Sequence, residues 1–310
     1  MLFKSPNSPP VIGFLSFTFA HRKTEKIINS RLNIKKMKQE KIVVPVDFTI
    51  ASDQAVTQAI VIAQKTNSTI LLLHCMEPVS AEKKIFNQKL VEEKLNLLTK
   101  KIESEGIKCE HVIADGSIFD QIPMIANRPD NFMMVIGTHG IQGIKQKMLG
   151  ADILKIVRKI SIPCLIVQED CLTKNFGPIV FPVGSHDNFR RLAESTATFA
   201  FKFGAEIHIY SVNRKGDEAS ERIRQNTALA KEIFTIKTVP FKYHSEDAYV
   251  ISVGYAKQTL KYANLIGAGL LSIMSVNSDE HYYFAQSDKE TMINNEYNIP
   301  VFCVSGIDAE

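Results

Sequence analysis

Short apolar runs alternate with longer amphipathic stretches along most of the chain after residue 38. The stretches near 41–47, 69–75, 132–137 and 162–168 are rich in Ile, Val, Leu and Met, and a more polar one lies near 108–114. Each predicts a strand, and Phe132–Ile136 a parallel strand buried in the sheet. Helical spacing fills the gaps, over Ala51–Lys65, Ala81–Glu105, Ile118–Asn127 and Ala151–Lys159. In the first of these, Ala55, Ala59, Ile62 and Ala63 share one side, which suits packing on a sheet. Gly106 is a good stop for the long second stretch, and Ser117 a good N-cap for the third. Strand and helix in alternation predict an α/β fold with a parallel sheet and right-handed crossovers.

The pattern is written twice. Lys41-Ile42-Val43-Val44-Pro45-Val46-Asp47 resembles Pro178-Ile179-Val180-Phe181-Pro182-Val183-Gly184, at an offset of 137. Thr69–His74 resembles Glu206–Ser211, and Ile162–Val167 resembles Ile299–Val304, at the same offset. Repeated segments at one spacing predict repeated units. The expected division is an N-terminal extension without a fold of its own (1–37), a first domain (38–169), a polar linker (170–177) and a second domain (178–306). The apolar last strands, 162–168 and 299–304, are expected to pair edge to edge as an intramolecular pseudo-dimer, which hides two sheet edges. Phe199, Phe201 and Phe203 read as packing residues of a helix.

The candidate chemistry follows the fourth strand. Gly137-Thr138-His139-Gly140, nine further residues and then Gly150 lie between a buried strand and a helix. Such a loop offers bare backbone amides to an anion, and the helix N-terminus adds a positive partial charge. At the 137 offset, Gly137, Gly140 and Gly150 become Met274, Asn277 and Ser287, and Asp47 becomes Gly184. The ligand site is therefore expected in the first half, with the second a structural or regulatory copy. Lys145 and Lys147 lie in the loop. Lys155, Arg158 and Lys159 share a helix face that reads as solvated. Asp47 lacks the neighbouring acids of a metal-dependent phospho-acceptor. His139 has no evident orienting acid, His74 lies on a strand and reads as facing the sheet end or the core, and Ser185-His186-Asp187 are too close in sequence to converge as a triad.

Composition narrows the partners. The 310 residues are 45% hydrophobic and 23% charged with a net charge of +4, which excludes a disordered chain. The basic excess gathers in residues 22–41, with no interleaved aromatics and no zinc motif, so no nucleic-acid partner is expected. No run reaches the ~18 apolar residues of a membrane span. Val11–Ala20 is a short apolar stretch after Lys4; an upstream extension with Met37 as working start is the preferred reading over a signal peptide. Five cysteines without a C-x-x-C pair suit a reducing, cytoplasmic setting.

Val44-Pro45-Val46-Asp47-Phe48-Thr49, the G-x2-G-x9-G loop and Ile162-Pro163-Cys164-Leu165-Ile166-Val167 together resemble the universal stress protein family in its tandem two-domain form, over about residues 38–306. The resemblance implies two Rossmann-like units, each a five-stranded parallel sheet in the order 3-2-1-4-5 flanked by helices. It implies binding of ATP or a related adenine nucleotide, with or without Mg2+, and a stress-response role exerted through conformation or partners. Asp47 would sit beside the ribose or base, with Pro45 lining the same cleft. Cys75 would present backbone to the adenine edge, and Ile136 and Gly137 would lie by the ribose. Gly140, Gly150 and Ala151 would hold phosphates. Position 151 is normally Ser or Thr, so a hydroxyl donor worth about 1.5–3 kcal/mol is missing, and Asp152 adds a negative charge. The alternative is an interaction scaffold with a degenerate site. No general base and no P-loop lysine is found, so no dedicated enzyme is expected; homodimers of the whole chain are a further expectation.

Overall fold

The computed structural model describes residues 40–76, 81–138, 150–171, 175–213, 219–248, 255–276 and 286–307. The first half runs β1 (Lys41–Pro45), α1 (Ile50–Thr66), β2 (Thr69–Met76), α2 (Ala81–Ser104), β3 (Cys109–Asp115), α3 (Ile118–Ala126), β4 (Asn131–Thr138), α4 (Gly150–Val157) and β5 (Cys164–Gln168). The second runs β6 (Ile179–Pro182), α5 (Phe189–Phe203), β7 (Ile207–Asn213), α6 (Ala219–Ile236), β8 (Phe241–Asp247), α7 (Tyr255–Leu265), β9 (Leu270–Met274), α8 (Gln286–Ile293) and β10 (Val301–Val304).

The ten described strands form one sheet, ordered β3-β2-β1-β4-β5-β10-β9-β6-β7-β8. Each half is a parallel Rossmann-like sheet in the order 3-2-1-4-5. The halves join where β5 and β10 pair antiparallel, with Cys164 opposite Cys303, Leu165 opposite Phe302 and Ile166 opposite Val301. Strand sequences that read as continuous apolar runs are buried accordingly: Ile42, Val43, Val44, Met134, Val135, Ile136, Leu165 and Cys303 are fully buried.

Local chemistry explains the boundaries. Thr49 caps α1 by accepting from the Ser52 N–H, and Asn67 closes it in the left-handed region. Gly106, at φ +78°, ends the long α2, and Ser117 accepts the Phe119 N–H at the start of α3. The repeat is not uniform. β8 follows β3 by 132 positions, because α6 has 18 residues where α2 has 24; the 137 offset returns at α7.

Three expectations change. The connection after β5 carries Cys171 and Phe176, both fully buried, and Gln54 donates to the Cys171 carbonyl, so it is pinned to the core at both ends. Phe199 and Phe203 pack around Phe176 with centroids 5.2 and 5.0 Å away, but Phe201 is 66% exposed because the helix turns it outward. Arg158 does not join Lys155 and Lys159 in solvent: its Nε donates to the Ser275 carbonyl in the other half at 2.8 Å.

Candidate functional site

A cleft opens at the C-terminal ends of β1 and β4, where the strand order reverses and open α/β sheets bind ligands. Pro45, Asp47, Cys75, Ile136 and Gly137 line it, together with Thr49, Ser52 and His74. Five of the eight residues expected at the site thus meet in one place. Gly150 and Ala151 are not in its lining; they begin α4, the helix that follows the loop after β4. Gly140, with Lys145 and Lys147, lies outside the described residues.

The β1–α1 turn is built around Asp47. Its Oδ1 accepts from the Thr49 hydroxyl at 2.5 Å and from the Thr49 N–H at 3.1 Å. Oδ2 makes no hydrogen bond to a described residue and can accept from a ligand hydroxyl. Phe48 adopts φ +63°, a left-handed conformation that costs a bulky residue about 1–3 kcal/mol. Its ring stacks on His74 at 5.0 Å, and Lys94 Nζ lies 4.9 Å from its centroid. His74 is itself fixed, Nδ1 lying 2.7 Å from the Val46 carbonyl, the geometry of an N–H donor. Sequence reasoning missed Phe48: a phenylalanine after a strand reads as core, and nothing in its type signals a positive φ.

Gly137 has a reason for being glycine other than the one its motif suggests. A Cβ there would lie 2.2 Å from the Ala51 carbonyl oxygen and 2.9 Å from the Ser52 nitrogen, both backbone atoms of α1. The missing side chain lets the first turn of α1 press against the end of β4. At α4, Asp152 Oδ1 takes Lys155 Nζ at 3.0 Å and also suits the positive helix start. The Cys75 thiol is pushed up to about 11 by burial, so it stays protonated near neutral pH. Among the described residues no group of three or more His, Cys, Asp or Glu could hold a metal ion.

The sequence model of the universal stress protein family matches residues 39–168. Residues 39–168 form a universal stress protein domain. Universal stress protein MJ0531 of Methanocaldococcus jannaschii is 24% identical over 153 residues, covering 46% of this chain and 90% of that protein. Universal stress protein MJ0577 of the same organism is 24% identical over 154 residues, covering 42% and 95%. The crystal structure of a universal stress protein from Archaeoglobus fulgidus covers 86% of this chain and 98% of its own at a TM-score of 0.67 and 18% identity. That likeness shows that the fold extends through both halves.

The second half keeps the universal stress fold and closes the equivalent cleft. Only about 10 Å3 remains between Pro182, Gly184, His186, Phe189, Met274 and Lys289, room for one water at most. Lys289 stands at the 137 offset from Asp152. Its side chain is 1% exposed and its ammonium donates to the Val276 carbonyl. Burial, then the Arg158 charge, lowers it to about 8. His186 is lowered to about 4, first by burial and then by Lys289. The Gly184 carbonyl accepts from Asn226 Nδ2 at 2.8 Å, tying the β6–α5 turn to α6. The second half fills with its own cation the place where its twin keeps an opening. No described helix is long and apolar enough to cross a membrane.

Proposed function

We propose that the first half binds an adenine nucleotide, ATP or a relative, and that occupancy acts in a stress response through conformation and partners. One observation carries this reading: the cleft at β1 and β4 is open, with an Asp47 carboxylate oxygen on its wall that no described residue engages, while its duplicate is shut by Lys289. Asp47 would accept ribose hydroxyls, and the Cys75 backbone would meet the base. The amides at Gly150 and Ala151, at the start of α4, would face phosphate oxygens, for which the nucleotide supplies the anionic tail. With Asp47 the sole carboxylate among the described lining residues, Mg2+ would ride on the phosphates rather than in a protein cage. The role is binding, not turnover: among the described lining residues the Cys75 thiol stays protonated and His74 is held by a backbone carbonyl rather than by an acid. Free thiols at all five cysteines suit the cytoplasm.

A second reading, a scaffold that binds no nucleotide, draws on the cleft's size. Its enclosed volume is about 60 Å3, against the ~300–1,000 Å3 usual for ligand pockets. Calorimetric titration of the full chain with ATP, ADP and AMP decides between them. Saturable heat supports the nucleotide; no heat at millimolar concentration leaves the scaffold.

A further inference from the structure

The start of α4, which the nucleotide reading requires, is held in place by the other half of the chain. Gly150 is buried, and a Cβ on it would lie 2.7 Å from Asn294 Nδ2, just after α8. Asn294 Oδ1 is buried and makes no hydrogen bond to a described residue. The Asn294 N–H donates to the Glu290 carbonyl at 2.9 Å, so the residue is fixed on the last turn of α8. At the other end of α4, Arg158 reaches the Ser275 carbonyl beyond β9. The strand that follows is bound in the same sense: Gln168 Nε2 donates to the Asn295 carbonyl at 2.9 Å, and Ser305 Oγ donates to the Ile160 carbonyl.

α4 has eight residues, fewer than the ~12–15 an isolated helix needs for marginal stability. Its position is therefore dictated by its packing partners. The favourable field of a helix N-terminus fades within one turn, and hydrogen bonds weaken steeply with misalignment. A small displacement of Gly150 is thus enough to change the hold on an anion. We propose that the second half is the frame for the first half's phosphate-binding turn, with Asn294 as a positioning residue that sets where α4 begins. This inference rests on the nucleotide reading and assigns the closed half a task.

The test uses the full chain, ATP calorimetry and hydrogen exchange across α4. Gly150→Ala pushes on the Asn294 amide, and Asn294→Ala removes it; each is expected to weaken ATP binding by about three- to thirtyfold. The double variant, in which the shorter side chain leaves room for the added methyl, is expected to bind more tightly than Gly150→Ala alone. That rescue of affinity would not arise if Asn294 merely stabilised the fold. Exchange across α4 is expected to quicken in Asn294→Ala without nucleotide. If the wild type binds ATP and either single variant stays within twofold, the positioning role is overturned. If the wild type binds no nucleotide, the nucleotide reading falls, and exchange alone decides: unchanged protection of α4 in Asn294→Ala overturns the frame as well.

Discussion

Replacing Gly137 with alanine puts a methyl group where the structure has no room. The new carbon would stand 2.2 Å from the Ala51 oxygen and 2.4 Å from the Ala51 carbonyl carbon, against ordinary contact beginning at 3.4 Å. The first turn of α1 must retreat by about 1 Å, and backbone cannot rotate aside as a flexible side chain does. That turn is tied down by the Ser52 hydroxyl on the Thr49 carbonyl at 3.0 Å and by the Thr49 cap. Overpacking costs about 1–3 kcal/mol, and a disturbed N-cap about 1 kcal/mol more. The expected loss is about 2–4 kcal/mol. Gly106→Ala is the internal control: its Cβ meets open space, and only the left-handed φ of +78° is strained, at about 1–2 kcal/mol. Urea denaturation of both variants gives the comparison through the midpoint at unchanged slope. If Gly137→Ala lies within about 0.5 kcal/mol of wild type, or costs no more than Gly106→Ala, the packing argument is wrong. The expectation also bars Gly137 variants as clean probes of ligand binding, since they would disturb the fold first.

Ala151→Ser restores a hydroxyl at the start of α4 and is expected to tighten ATP binding about tenfold or more by calorimetry; an unchanged affinity would mean that phosphate does not reach this turn. His186 is held at about 4 against an ordinary 6.5, so the unfolded chain takes up its proton first. Stability from this group is complete above about pH 6.5 and falls as the pH drops toward 4; denaturation midpoints at pH 7 and 4.5 should diverge less in His186→Gln, and an identical divergence contradicts the assignment. Cys164 and Cys303 are fully buried at the seam and Cys75 is half-buried, so a thiol reagent should reach Cys75 first and the seam pair only in denaturant. Prompt native labelling of the seam pair would show that β5 and β10 separate readily.

The fold was largely legible because hydrophobic period and offset report directly on burial. β1, β2, β4 and β5 and their copies are predominantly apolar and largely buried, as a covered parallel sheet requires. The β3–β8 correspondence escaped because a shorter α6 shifts it, and β8, with its Lys242, His244 and Glu246, lacks the apolar run that marks a buried strand. The candidate cleft was legible in part for the same reason: residues at strand ends converge at the switch point whether or not anything binds there. Charge was the poorest guide. Arg158 read as part of a solvated face and Lys289 carried no signal at all, yet each donates to a carbonyl inside the structure. Gly137 was legible as a position without a side chain, but sequence does not distinguish room for an anion from room for a helix. Only the placement of Ala51 makes that distinction.

The two halves carry different costs, and that asymmetry bears on their roles. Phe48 holds a left-handed backbone beside the open cleft, while Ser185, its counterpart at the 137 offset, does not share the positive φ. A strained residue persists only where its surroundings over-determine it, and such residues cluster at working sites. In the second half the turn is relaxed and the cost has moved to a buried ammonium, whose lowered Lys289 pKa records the desolvation. Two working sites would give no reason to close one with Lys289. Two inert copies would give no reason to keep Phe48 strained against His74 beside an opening. Strain retained at one cleft and charge buried in the other fit a chain in which one half receives a ligand and the other, bound to both ends of α4, governs how firmly it is received.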